Sequence, residues 1–110
     1  MEKKEIHQLI VDHNISTMYC SLPGHMRKCS TTYDQIISLD KEAVPVILEY
    51  MRDYHKDNMC AGMSVVLLLM DIVKESPYTP TDTGTGFVSY TVKDCEQTWI
   101  DWGIKNGYIV

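Results

Sequence analysis

The residues most capable of chemistry in this chain are the histidines and cysteines of its first thirty positions. Five such side chains occur within a short stretch: His7, His13, Cys20, His25 and Cys29. Imidazole nitrogens and thiolates are the usual ligands of structural zinc, and a candidate Cys₂His₂ set consists of His13, Cys20, His25 and Cys29. Specific zinc motifs pair their cysteines as Cys-x₂-Cys, whereas these two cysteines are widely separated. We therefore expect ordinary packed or exposed side chains here, and no metal requirement for folding.

A thiol nucleophile is the other chemistry that these residues allow. His25 and Cys29 are four positions apart, so a helix would place them on one face, and the adjacent Arg27 and Lys28 would favour the thiolate. A Cys–His dyad also needs a carboxylate or an amide that orients the histidine, and no such residue stands at a suitable position. With no other recognisable catalytic set, the sequence predicts a protein that is not an enzyme and uses no cofactor.

Helical periodicity governs most of the chain and predicts an all-α fold of about five helices in a single domain, residues 1–110. Residues 1–30 are expected to form a helix over about 3–13 and then a turn-rich segment in which Pro23-Gly24 is a strong breaker. Residues 31–74 are expected to hold a short helix followed by a helical hairpin. Asp40 is the expected N-cap of the first hairpin helix. The apolar stripe of that helix consists of Val44, Ile47, Leu48 and Met51.

The second hairpin helix, about Met59 to Val73, is apolar around nearly its whole circumference. Its main stripe comprises Met59, Met63, Val66, Leu67, Met70 and Val73, and most residues between them are Val, Leu or Ile. A helix that is apolar all round is normally buried all round. We therefore expect this helix to be the central element of the fold.

The end of the chain is predicted to form a loop and then a last helix. Residues 75–90 are rich in Pro, Gly and Thr, which favours a loop, and residues 91–107 show helical periodicity. Asn106-Gly107 supplies the stop signal. Trp99 and Trp102 are three positions apart and share one side of this helix. We expect at least one of them in the core and the other at a protein interface, where tryptophan is enriched in binding hot spots.

The net charge of −5 is unevenly distributed. Residues 1–30 carry four bases and three acids, a net +1, whereas residues 31–110 carry six bases and twelve acids, a net −6. An acidic body disfavours direct binding to nucleic acid, which needs clustered Lys and Arg. It fits a protein partner with a basic surface, and the candidate contacts on the hairpin are Glu49, Asp53 and Asp57.

The composition predicts a cytoplasmic protein without membrane contact. The amino terminus, Met1-Glu2-Lys3-Lys4-Glu5, is charged and has no secretory leader. The longest apolar run, residues 65–70, is far shorter than the ~20 residues that span a bilayer. In a reducing compartment the four cysteines are expected to be thiols, and Cys60 and Cys95 should behave as small hydrophobic residues in apolar helical patterns.

Residues 33–110 resemble short, mostly uncharacterised bacterial and phage helical proteins that have one HEAT-like hairpin and a terminal Trp-x-x-Trp-Gly helix. The residues that carry the resemblance are Leu39–Leu48, Pro77–Pro80, Trp99-Ile100-Asp101-Trp102-Gly103 and Asn106-Gly107-Tyr108. The resemblance implies a fold and a bacterial or phage setting, and it brings no established activity.

Two functions follow as hypotheses from these patterns. The first is a non-enzymatic module that binds and modulates a larger macromolecular partner, for example as an inhibitor of a host defence complex. The alternative is a small metal- or thiol-dependent regulator that uses the Cys/His cluster of residues 7–29. Oligomeric state is left open by the sequence.

Overall fold

The computed structural model describes residues 1–20, 22–74, 77 and 92–110. Over these residues the chain forms α-helices and one 3₁₀ helix and no strand, which confirms the all-α prediction. The elements in chain order are α1 Lys3–Thr17, α2 Pro23–Cys29, α3 Tyr33–Leu39, a 3₁₀ helix Asp40–Glu42, α4 Val44–Lys56, α5 Met63–Val73 and α6 Val92–Lys105. Except for Pro77, the predicted loop over residues 75–90 lies outside the described residues.

Helix α5 is the centre of the fold, as its apolar circumference predicts. It contacts every other α-helix and the 3₁₀ helix. Its buried residues are Ser64, Val65, Val66, Leu67, Leu68, Leu69 and Ile72. The helix begins at Met63, four residues later than expected, because Gly62 has a φ of +121° that no helical residue adopts. The HEAT-like character of the α4–α5 pair stays a prediction.

Two local predictions in the first forty residues were wrong. Pro23-Gly24 does not interrupt helical structure, because both residues belong to α2. Pro23 occupies the first turn of that helix, where its missing N–H costs nothing and its fixed φ suits a helix. Asp40 does not cap α4 with its side chain: it has a φ of +53° and begins the 3₁₀ helix that precedes α4.

Helix α1 is one turn longer than predicted. Asn14 and Thr17, which were expected to lie at or beyond its end, both make hydrogen bonds within the fold. Asn14 donates from its side-chain amide to the hydroxyl of Tyr50, 2.9 Å away, instead of ending the helix. Thr17 is buried, and its hydroxyl donates to the carbonyl of His13 at 2.7 Å. This extension brings the last turn of α1 beside α2 and the start of α5.

Helix α6 ends as predicted, in a Schellman motif. Gly107 has a φ of +79°, the Tyr108 N–H donates to the Gly103 carbonyl at 2.9 Å, and the Gly107 N–H donates to the Ile104 carbonyl at 3.2 Å. These bonds satisfy carbonyls that the helix end would otherwise leave open.

Gly103 sets the distance between α6 and α4. A methyl group at this position would overlap the side chain of Leu48, which is fully buried. We expect Gly103→Ala to lower the free energy of unfolding by about 1–3 kcal/mol, the usual effect of overpacking a core. Gly24→Ala is the matched control, because Gly24 is also helical but has open space around it. Chemical denaturation measures both, and equal stability of the two variants would contradict close packing at Gly103.

Candidate functional site

The predicted Cys₂His₂ set does not come together in the described part of the chain. His13 is fully buried, and hydrogen bonds occupy both of its ring nitrogens. Cys20 and Cys29 are near each other, and the interaction with the Cys29 thiol is the main cause that raises the pKa of Cys20. His25 is exposed on α2. Among the described residues, a different group of possible metal ligands lies close together. It consists of His55, Cys60 and Glu96.

His13 is a core histidine that joins α1 to two other elements. Its Nε2 lies 2.8 Å from the Ser64 carbonyl, which only accepts, so Nε2 carries the proton. Nδ1 then accepts from the Ser30 hydroxyl at 2.6 Å. Burial lowers the pKa of His13 below its ordinary value of 6.5, although the bond to Ser64 acts in the opposite direction. The neutral imidazole is therefore the folded form.

This histidine should make folding sensitive to acid. Below about pH 6.5 the unfolded chain binds a proton at His13 that the folded chain resists, so stability falls as the pH is lowered. Because one proton is involved, the free energy of unfolding can fall by at most about 1.4 kcal/mol for each pH unit. We expect His13→Gln to flatten the pH dependence of the melting temperature between pH 7 and 5. His25→Gln, at an exposed position on α2, is the control, and identical profiles for both variants would contradict this role of His13.

The acidic residues predicted to face a partner lie on one side of α4 and just beyond it. Glu49 forms an ion pair with Lys3 of α1. Asp53 pairs with Lys56 at 3.3 Å on the exposed surface of the same helix, and Asp57 is exposed after the helix end. Two of the three carboxylates thus have a cationic neighbour, and the local negative field is weaker than the sequence count indicates.

The two tryptophans have different environments. Trp99 is fully buried and cannot reach a partner in this fold. Trp102 is half-buried, with an edge contact to Trp99 and a stacked contact to Tyr108, each with ring centroids 5.2 Å apart. It also lines a shallow surface depression with Pro77. Trp102 is therefore the tryptophan that stays a candidate for partner binding.

An exposed apolar groove lies between α2 and α5. Its lining is almost free of polar atoms, and it consists of Pro23, Met26, Met63, Leu67 and Met70, which we call the methionine surface. Met63 and Met70 are 40% and 43% exposed, far more than the rest of α5. Met26 and Met63 also line a neighbouring cleft beside Met18, Tyr54 and Cys60, so the two depressions share part of their walls. Sequence reasoning missed this surface because it placed no helix at residues 23–29.

An ion-pair network fixes α2 against α5 and so holds the groove in shape. Arg27 of α2 makes two hydrogen bonds of 3.0 Å to the carboxylate of Asp71 on α5. The hydroxyl of Tyr33 on α3 donates to the same carboxylate at 2.5 Å. Burial alone would raise the pKa of Asp71, but the bonds from Arg27 and Tyr33 outweigh it and lower that pKa. Asp71 is thus a carboxylate in the folded state, and it joins three helices.

A buried carboxylate anchors the opposite end of α5. Glu96 of α6 has no exposed surface and accepts three hydrogen bonds. Its Oε1 accepts from His55 Nε2 at 2.8 Å and from the Ala61 N–H at 3.2 Å, and its Oε2 accepts from the Gly62 N–H at 2.8 Å. Burial and the charge of Glu96 raise the pKa of the adjacent Cys60, although Lys93 lowers it. Sequence reasoning did not single out Glu96 or His55.

No known protein family, curated protein or solved structure gives a significant match to this chain. The resemblance of residues 33–110 to phage and bacterial helical proteins therefore stays a prediction. None of the described helices combines the length and the apolar character needed to cross a bilayer.

Proposed function

We propose that this chain is a non-enzymatic protein-interaction module, and that its methionine surface receives the apolar face of an amphipathic, net basic helix of a larger partner. The observation that carries the proposal is the continuous apolar groove formed by Pro23, Met26, Met63, Leu67 and Met70. Apolar patches that a protein leaves exposed commonly mark places where another molecule binds.

The size and the residue types of the groove favour a protein partner over a small ligand. The groove has a volume of about 190 Å³. Small-molecule sites usually measure about 300–1,000 Å³, so this groove suits one or two anchoring side chains. Methionine side chains adapt their shape and recur in surfaces that bind helices through apolar anchors. An amphipathic helix matches this combination.

The charge of the protein supports a basic partner. Residues 31–110 carry a net −6, and two exposed carboxylates lie close along the chain to residues of the neighbouring cleft: Asp53 directly precedes Tyr54, and Asp57 is three residues before Cys60. Charges at the rim of an interface mainly speed association and fix orientation. The resemblance of residues 33–110 favours a bacterial or phage setting, in which inhibition of a host defence complex is the form of this function to test first.

Substitutions in the groove test the proposal. The double variant Met63→Glu/Met70→Glu should bind the partner roughly thirtyfold less tightly, the effect of losing about one hot-spot residue, because it places charges in an apolar contact. Ile104→Glu is the matched control: Ile104 is 48% exposed on α6 and lies outside the groove. A partner isolated with the wild-type protein is purified, and calorimetry measures its affinity for the three proteins after circular dichroism has verified folding.

Three outcomes contradict this assignment. Equal affinity of the wild type and the double variant would remove the groove from the interface. Equal loss in the double variant and in Ile104→Glu would show a general effect of added charge. Sedimentation of the wild type as a dimer that the double variant converts to a monomer would show that a second copy of the chain covers the groove.

Salt dependence tests the electrostatic part separately. Asp53→Lys/Asp57→Lys should slow association at low salt and leave the melting temperature unchanged, because both residues are exposed. High salt should slow the wild type toward the rate of this variant. If both proteins associate at the same rate at both salt concentrations, the proposal that the partner is basic is wrong. The proposal of apolar docking would not be affected.

A thiol-dependent regulator is the second candidate, favoured by the proximity of the free thiols of Cys20 and Cys29. Exchange with oxidised glutathione would join the two sulfurs in a disulfide, and the two protons and two electrons lost by the thiols would yield two molecules of reduced glutathione. Mass spectrometry should then find a protein two hydrogens lighter, with Cys20 and Cys29 in one cross-linked peptide. Mixed disulfides with glutathione at either residue, without the cross-link, would contradict the switch.

A further inference from the structure

We infer that His55, Cys60 and Glu96 form a binding site for a zinc-class divalent metal ion. The three residues come from the last turn of α4, the α4–α5 connection and α6, so the fold itself brings them together. One ligand atom from each lies within 4.8 Å of the ligand atoms of the other two. These residues are distinct from the Cys/His set of residues 7–29.

The donor atoms suit zinc better than they suit calcium or magnesium. One imidazole nitrogen, one sulfur and one carboxylate oxygen form a mixed set, whereas hard cations prefer oxygen alone. In a tetrahedral zinc site such donors stand about 3.3–3.6 Å apart, given usual bond lengths of about 2.0–2.3 Å. His55 Nε2 and Glu96 Oε1 are 2.8 Å apart, so a metal would have to separate them slightly while drawing in the sulfur.

The surroundings of His55 and Glu96 already orient their ligand atoms. The amide nitrogen of Gln97 donates to Asp101 at 3.0 Å, which turns its oxygen toward His55 Nδ1, 3.3 Å away. A metal would take the place of the proton that Nε2 donates to Glu96, while Nδ1 keeps its contact with the Gln97 oxygen. Histidines that bind a metal through one ring nitrogen usually make such a hydrogen bond with the other. The Gly62 N–H likewise holds the second oxygen of Glu96 at 2.8 Å.

The site has an open side. Among the residues that the structure describes, no fourth His, Cys, Asp or Glu joins this group. Cys60 lines the cleft beside the methionine surface, together with Tyr54 and Gly62. A metal bound here would have a position free for water or for a ligand from a partner, as open zinc sites do.

We expect the chain to fold without the metal. Without it, the proton shared by His55 Nε2 and Glu96 Oε1 holds the two side chains at hydrogen-bond distance. Metal binding displaces this proton and the thiol proton of Cys60, and the gain in stability follows from the free metal concentration. We therefore expect a chelator to lower the melting temperature of a metal-loaded sample to that of the metal-free protein without unfolding it.

Cobalt titration tests the site directly. The full chain is produced without a His tag, reduced, freed of metal with a chelator that is then removed, and titrated with Co²⁺. We expect one equivalent to bind and produce a thiolate-to-cobalt charge-transfer band, which added Zn²⁺ abolishes. Cys60→Ser should lose the band while keeping its helical circular dichroism. Cys20→Ser/Cys29→Ser should keep the band in full.

A second variant tests the positioning role of Gln97. Gln97 is exposed, so Gln97→Ala should leave the melting of the metal-free protein unchanged and should weaken cobalt binding about 10–100-fold. Gln35→Ala, at an exposed position on α3, is the control and should bind as the wild type does. A wild-type protein without a charge-transfer band would overturn the inference. A band that survives in Cys60→Ser and disappears in Cys20→Ser/Cys29→Ser would move the metal to the amino-terminal cysteines.

Discussion

Glu96→Ala is expected to lower the free energy of unfolding by about 3–5 kcal/mol, enough to unfold a large fraction of a marginally stable domain. The carboxylate is fully buried, and it accepts hydrogen bonds from His55 and from the backbone N–H groups of Ala61 and Gly62. Truncation leaves these three donors in the interior without an acceptor. Each buried group that loses its partner costs about 1–3 kcal/mol.

The measurement is chemical denaturation with a chelator present, so that only the hydrogen bonds of Glu96 contribute. Glu96→Gln should cost less than the alanine variant, because its amide oxygen can still accept one backbone bond. Asp101→Ala removes an exposed carboxylate from the same helix and should change stability by less than about 0.5 kcal/mol. A loss under about 1 kcal/mol for Glu96→Ala would mean that water reaches the three donors.

The position of Glu96 shows what a periodic pattern can reveal about a buried polar residue. Glu96, Trp99 and Gly103 stand at i, i+3 and i+7, so they share the buried face of α6. The apolar members of that face were enough to predict the helix. A charged residue on the same face indicates a buried polar group that needs hydrogen-bond partners. Those partners, at positions 55, 61 and 62, depend on how α4, α5 and α6 pack. No local pattern specifies that packing.

The methionine surface was harder to predict for a related reason. The apolar circumference of α5 correctly predicted a central helix, but it also predicted burial of Met63 and Met70, which are partly exposed. Their burial depends on a neighbour, and Pro23 and Met26 of α2 leave an open groove beside them. Proline is common both in the first turn of a helix and in turns. The sequence pattern therefore predicted a turn-rich segment where α2 begins. The groove between α2 and α5 could therefore not be anticipated.

Leu67→Asp is expected to cost several kcal/mol and to leave much of the protein unfolded. Leu67 is 6% exposed in the middle of α5, the helix that contacts all the others. An aspartate there must either bury a charge or take up a proton, and both are expensive in an apolar interior. The expected observation is a loss of most of the helical circular dichroism at 25 °C, or a melting temperature far below that of the wild type.

Met70→Asp is the control that distinguishes the effect of burying a charge from the effect of placing any charge on α5. Met70 lies one helical turn after Leu67 and lines the same groove, but 43% of its surface is exposed. An aspartate at this position keeps its contact with water, so stability should change by less than about 1 kcal/mol while partner binding at the groove weakens. Equal melting of the two variants would show that α5 is not buried at Leu67, and the helix would then not be the centre of the fold. A folded Met70→Asp that binds the partner as tightly as the wild type would instead leave the core intact and remove the groove from the interface, because a charge in a desolvated apolar contact has to cost affinity.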